Sequence, residues 1–334
     1  MFDIITFGSA TRDTFVKIEE DDYKILKKDS EKKFLCFPFG SKIFIEEIYT
    51  SSGGGGTNTA CTFANQGFKT AYCGKVGNDK KGEAVIEELK KFKVDTSLIK
   101  KTKDYFTASS IIFSLPFSNQ PKKIERTILL YRGACHFITK KDILFEKIKK
   151  TKWFYLAPLS GPSVLIFEPL VKFAKKNNIK VASNPGTTQL RLNKKILYPI
   201  LKQLDILILN LEEASFLSRK KEEKEIIKKI NQIFKGILVI TKGKEGSIVY
   251  DGKKLYHQTK MPFLVSVTEK TGAGDAFGSG FLSGLLRKNK IEYAIQLATA
   301  NAVNCIQKIG AKRGLLKKTQ WDKRFPIKIT ETVL

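Results

Sequence analysis

The sequence predicts an α/β fold: a central, mostly parallel sheet wrapped by helices, with a small β-sheet projecting from it. Short apolar, β-branched-rich runs fall at 2–8, 70–76, 152–156, 179–183, 205–209 and 236–241, as expected of strands covered on both faces. Stretches with helical spacing separate them at 57–66, 80–92, 163–176, 211–219, 222–234, 273–287 and 291–308, and this alternation implies parallel crossovers. Two patches, about 12–50 and 106–131, break the rhythm and supply the small sheet.

Taken in order, Phe2-Asp3-Ile4-Ile5-Thr6-Phe7 runs into Gly8-Ser9 as a central strand would. Lys42-Ile43-Phe44-Ile45-Glu46-Glu47-Ile48-Tyr49 then alternates in part, the mark of an exposed strand with one covered face. Phe106–Leu115 and Arg126–Tyr131 repeat that character. The last helix carries Ile291, Ala294, Ile295, Ala298, Ala302 and Cys305 at three- and four-residue steps, a stripe that packs on a core.

Length and composition suit one large domain with at most a small appendage: 334 residues, 42% apolar and 11% aromatic. The formal charge of +27 invites a nucleic-acid reading, but only eight of the 60 basic residues are Arg. Arg is the residue suited to bidentate contacts with phosphates and base edges. The lysines are spread over helix faces and ends, so a generic basic surface is the better reading; it would also attract anionic small molecules. Cys36, Cys61, Cys73, Cys135 and Cys305 are odd in number and form no CxxC pair, which points to reduced core residues of a cytoplasmic protein. Two histidines, His136 and His257, rule out a His-rich metal centre. No apolar run reaches the ~18 residues of a membrane span, and the N-terminus carries an acid where a signal peptide would be basic.

The stretch richest in chemistry is Glu269-Lys270-Thr271-Gly272-Ala273-Gly274-Asp275-Ala276-Phe277-Gly278-Ser279-Gly280. Gly272 and Gly274 let the backbone approach a ligand where a helix begins, and a helix start offers unpaired N–H groups to phosphate. Asp275, directly after that turn, can accept a proton from an attacking hydroxyl. The plainer reading is a Gly-rich helix start capped by Asp275. A dinucleotide fingerprint fails by one residue, since Gly272, Gly274 and Gly278 give GxGxxxG late in the chain, and no GxxxxGK[ST] run occurs.

Thr271-Gly272-Ala273-Gly274-Asp275 with the helix after it resembles the C-terminal signature of the ribokinase-like (PfkB) carbohydrate kinase family. Gly53-Gly54-Gly55-Gly56-Thr57-Asn58-Thr59-Ala60 resembles that family's N-terminal signature. Between and after them, in the family's order, lie Gly74-Lys75-Val76-Gly77-Asn78-Asp79, Asn184-Pro185-Gly186, Asn210 with Glu213, Thr241-Lys242-Gly243 with Gly246, Asn301, and Gly310-Ala311. The resemblance spans roughly 2–315 and implies a ribokinase-like three-layer sandwich with a β-sheet lid. It divides the chain into a kinase domain over 1–316 and a tail over 317–334.

The resemblance also assigns roles. Asp275 becomes the base, with Gly272, Ala273 and Gly274 as the anion turn. Asp13 would grip sugar hydroxyls, a carboxylate having two acceptor oxygens; an exposed loop acid is the alternative. Gly53 and Gly54 would lie against the sugar, with Asn58 adding an amide or simply capping its helix. Asn210 and Glu213 would organise Mg²⁺ through water while also forming a helix cap. Asn184 would approach the transferring phosphate, and Thr241, Gly243, Gly246 and Asn301 would line the nucleotide pocket. Where the family has Asp, this chain has Glu269, at a position whose acid often helps hold a monovalent cation such as K⁺. Arg132 is either a contact for an anionic acceptor or a surface residue at a strand end.

The resulting expectation is in-line transfer of the ATP γ-phosphoryl group to a sugar hydroxyl, under a lid that excludes water. A nucleoside acceptor and a non-catalytic ligand-binding member are the alternatives. Expected partners are a small-molecule substrate and a second copy joined through the lid, with neither nucleic acid nor membrane.

Overall fold

A computed structural model describes residues 1–28, 32–117, 120–259, 267–321 and 327–333. Residues 29–31 and 118–119 of the expected lid, and 322–326 and 334 of the expected tail, lie outside these.

Its centre is a ten-stranded sheet in the spatial order 329–333, 254–258, 247–250, 237–241, 206–210, 180–183, 151–156, 2–7, 70–77 and 99–102. From Ile237–Thr241 to Ile99–Thr102 all neighbours run parallel, with Phe2–Phe7 paired to both Thr151–Leu156 and Thr70–Gly77. Side chains alternate across the pleat and feed two cores. Phe154 and Leu156 join Phe7, Phe167 and Val171 on one face; Trp153 and Tyr155 join Phe63, Phe281 and Ile295 on the other. Each fully buried ring contributes about 2–3 kcal/mol by its area, so an apolar run read from sequence becomes a sheet held from both sides.

Three antiparallel strands on one side of the sheet were not foreseen, nor was Ile99–Thr102 at its other edge. Ser247–Tyr250, Lys254–Gln258 and Ile329–Val333 extend the sheet antiparallel. The first two turn at Gly252, which has φ 97°, and are too short to register as periodic runs. The third lies within the expected C-terminal tail, 317–334. Ile329–Val333 pairs residue for residue with Lys254–Gln258, and Trp321 is buried against Leu297 and Ala300. The helix Lys194–Leu201 also went unread because Pro199 stands inside it.

The small sheet has the order Ile45–Gly53, Thr11–Ile18, Ala108–Phe117, Gln120–Tyr131. Its middle pair is parallel and its outer pairs antiparallel. Ile48, Ile111, Ile128, Leu129, Leu130 and Tyr131 on it are all exposed. A second hairpin, Lys24–Lys28 with Lys32–Cys36, stands between its first two strands in the chain.

Candidate active site

The first strand delivers the chain through Gly8 into Thr11–Ile18, and with it Asp13. That carboxylate is buried, and its Oδ1 accepts the Ser110 hydroxyl at 2.7 Å. Gly53 packs directly on it: a Cβ there would overlap the Asp13 carboxyl group. Gly54 has φ 95°, and a side chain on it would come within 2.5 Å of the Ser9 carbonyl, so glycine is required twice in succession. The helix Gly55–Asn65 starts at once, steadied by Thr57 and Thr59 hydroxyls donating to Gly53 and Gly55 carbonyls at 2.6 and 2.7 Å.

Asn58 is the third residue in from Gly55 and is 3% exposed. Its side-chain amide donates to Asp275 Oδ2 at 2.8 Å, across 217 residues of sequence. This bond puts the early glycine run and the late glycine turn in one place. Gly55 also lies against Asp275, since a Cβ there would stand 3.2 Å from Oδ1.

The late turn is built as a helix start. Gly272, at φ 81°, precedes the helix Ala273–Lys288, and a side chain on it would strike Ala311. The N–H groups of Gly274 and Asp275 have no protein partner among the described residues, and nothing lies within 4 Å of a Cβ built on Gly274. An open backbone with free donors at the positive end of a 16-residue helix can take an anion. The helix's later glycines serve packing: Gly280 and Gly284 approach the backbone of Ala298 and Ala294 on the neighbouring helix Ile291–Ile306. Burial pushes the Asp275 carboxyl above its usual range, against the opposing pull of the Asn58 amide and the Lys312 ammonium. A raised pKa makes it a better proton acceptor than a surface acid.

The remaining expected site residues follow parallel strands at their carboxyl ends, the edge where open α/β sheets bind ligands. Asn184 follows Lys180–Ser183 and donates its amide to the Ile208 carbonyl at 2.9 Å. Asn210 and Glu213 form a reciprocal cap: Asn210 Oδ1 accepts the Glu213 N–H at 2.8 Å, and Glu213 Oε2 accepts the Asn210 N–H at 2.9 Å. Burial raises the Glu213 pKa, Glu212 adds to this, and the bond from Asn210 opposes it. Glu213 Oε1 and the Asn210 amide nitrogen keep no protein partner among the described residues, so this pair fits a hydrated Mg²⁺ held through water. Thr241 ends its strand, and Gly243 at φ 58° faces open space.

Two expected nucleotide contacts have other duties. Gly246 is fixed by the Gln258 carbonyl that any side chain on it would strike. Asn301 is fully buried; its amide donates to Ala276 O at 2.8 Å and its carbonyl accepts the Leu316 N–H at 2.9 Å. It braces the anion-turn helix from behind.

Glu269, the acid that the resemblance ties to a monovalent cation, makes contacts within the protein. Its Oε1 accepts the Thr271 N–H at 3.0 Å and the Thr271 hydroxyl at 2.7 Å, and pairs with Arg126 Nη1 at 3.0 Å. Arg132 is exposed at its strand end.

The family model described as pfkB family carbohydrate kinase matches residues 30–318. The chain belongs to the pfkB carbohydrate kinase family. It is therefore a phosphotransferase with an alcohol group as acceptor. An ATP-dependent 6-phosphofructokinase of Thermoanaerobacterium thermosaccharolyticum is 24% identical over 318 residues, covering 93% of this chain and 89% of that protein. A ribokinase of Lactococcus lactis is 28% identical over 285 residues, covering 84% and 88%. The solved structure of Arabidopsis thaliana ribokinase complexed with ribose and ATP superposes with a TM-score of 0.75 at 22% identity, over 96% of this chain and 97% of that one. That likeness establishes the ribokinase-like fold.

Sequence reasoning passed over three residues that lie beside the expected ones. Ser110 fixes Asp13, yet within the strand read at 106–115 nothing in the sequence marked it. Tyr155 is fully buried beside the anion-turn helix, where Gly278 leaves room for its hydroxyl; that hydroxyl has no hydrogen-bond partner among the described residues. Lys312 directly follows Gly310-Ala311 and is 3% exposed; the signal was its place after a matched motif.

Proposed function

We propose that this chain transfers the γ-phosphoryl group of ATP to a hydroxyl of a sugar, with Asp275 as the base. The observation that carries the reading is the 2.8 Å bond from Asn58 to Asp275, which joins a buried hydroxyl-binding acid and an open anion turn into one cleft. Asp13 keeps Oδ2 clear of hydrogen bonds from the protein, among the described residues, and would use it on a sugar hydroxyl. Asp275 takes the proton of the attacking hydroxyl, while the Gly274 and Asp275 amides offset charge on the transferring phosphoryl group. Mg²⁺, when bound with ATP, would spread charge over the phosphates, and Asn210 and Glu213 would position its waters. Asn184, Thr241 and Gly243 flank the nucleotide.

The small sheet acts as a lid that keeps water from serving as acceptor. Its exposed Ile128, Leu129, Leu130 and Tyr131 suit a homodimer made lid to lid. Among the described residues no helix is long and apolar enough to cross a membrane, and its free cysteines suit the cytoplasm. ADP release measured with sugars, sugar phosphates and nucleosides tests the reading. A sugar or sugar phosphate should give the highest kcat/KM; nucleosides alone as substrates would move the assignment, and no ADP with any acceptor would remove it.

A further inference from the structure

The loop from Gly310 to Gly314 is wedged between two parts of the site. Gly310 passes the Ser51 hydroxyl, and Ala311 lies under Gly272 of the anion turn. Lys312 then turns inward, 3% exposed, and donates to the carbonyl and the hydroxyl of Ser52 at 2.7 and 2.8 Å. An ammonium has three donors, and the third finds no protein acceptor among the described residues. No carboxylate stands within ion-pair distance of it there either. A buried cation is normally paired, because desolvation is costly; this one instead leaves its charge to act on the neighbourhood, and Asp275 feels it.

The acid that the resemblance assigns to a monovalent cation is engaged within the protein through its Oε1. Glu269 is neutralised by Arg126 and holds both the N–H and the hydroxyl of Thr271. The residues present therefore do not fit a site that needs K⁺. We infer that the chain carries its own cation: the Lys312 ammonium supplies the fixed positive charge behind the Gly272–Gly274 turn, and phosphoryl transfer needs no monovalent metal ion. Among the described residues the Lys312 ammonium donates only to Ser52. It is a positioning residue, acting through the turn and through Asp275.

This inference rests on the kinase reading, and its test keeps the two apart. ADP release is measured in tetramethylammonium salt and again with saturating KCl at equal ionic strength. The expected rates agree within about twofold, and a stimulation of about tenfold or more by K⁺ overturns the inference. Lys312→Ala should lose about a hundredfold in kcat. Potassium or ammonium ions, but not tetramethylammonium, should return part of it. A folded variant that keeps wild-type kcat, or a loss that no small cation restores, also overturns it. Should that variant fail to fold, the wild-type salt comparison decides alone. Binding of the ATP analogue AMP-PNP in the same salts gives the remaining separation: potassium-independent binding without turnover removes the kinase reading, and the statement about phosphoryl transfer with it, while potassium-dependent binding overturns the fixed-charge role of Lys312 whether or not the chain turns over.

Discussion

On the proposed reading, the acceptor half and the nucleotide half of the cleft are made in opposite ways. In the first, Asp13, Ser110, Asn58 and Asp275 come from four separate segments and are tied by hydrogen bonds across 97 and 217 residues. Their surroundings are buried, and glycines at 53 and 55 press the backbone against both acids. In the second, Asn210 and Glu213 bond only to each other, three residues apart, and Gly243 borders open space. The acceptor half is thus set before any ligand arrives, while the nucleotide and its ions complete the other half. Preorganisation is placed where a proton must move and geometry is least forgiving.

The sharpest break of that contrast is Asp275→Asn. Turnover should fall by about a thousandfold or more while AMP-PNP still binds, as steady-state kinetics and calorimetry would show. The same acid has a stability signature. Its folded pKa lies above the unfolded value, so its contribution is favourable at low pH and is lost as pH rises through the folded pKa. At neutral pH the Asn variant should therefore melt at the wild-type Tm or above it, and a markedly lower Tm would contradict the buried-acid account. In the wild type, kcat should drop as pH falls through that same raised pKa.

Next comes Gly53→Ala, whose methyl group displaces the Asp13 carboxylate. A shift of that kind costs about a hundredfold in kcat/KM for the acceptor, with KM for ATP nearly unchanged. Asn58→Ala removes a bond to a charged oxygen, worth about 1.5–3 kcal/mol. Because that bond lowers the Asp275 pKa, the acid limb of the pH–rate profile should move to higher pH, a shift a mere packing defect would not give. The smallest effect is expected in the open half. Glu213→Gln should raise KM for MgATP by about tenfold and leave the acceptor KM alone; equal damage to both would erase the distinction between the halves.

Much of the buried architecture could be read from sequence because parallel strands must be apolar on both faces, as Ile206–Leu209 and Ile237–Ile240 are. The hairpin turning at Gly252 and the strand Ile329–Val333 escaped because strands of four and five residues are too short to show a period. At the site, glycines and acids were visible since few other residues tolerate those backbone shapes. Asn301 shows the limit: a polar residue on a helix has the same letter whether it meets a ligand or, as here, ties Ala276 to Leu316. Lys312 shows another. Among 60 basic residues nothing local marks the one that the chain folds inward; only the tertiary placement of Ser52 does so.

Arg126 comes from the last strand of the small sheet and grips Glu269 and the Thr271 hydroxyl, at 3.0 and 2.6 Å, one residue short of Gly272. On the proposed reading, movement of that sheet would be mechanically linked to the segment that receives phosphate. By thermodynamic reciprocity, an acceptor that draws the sheet down should tighten AMP-PNP, and AMP-PNP should tighten the acceptor by the same factor. Titrating each ligand with and without the other would measure this synergy, and Arg126→Ala should abolish it while leaving each solitary affinity in place.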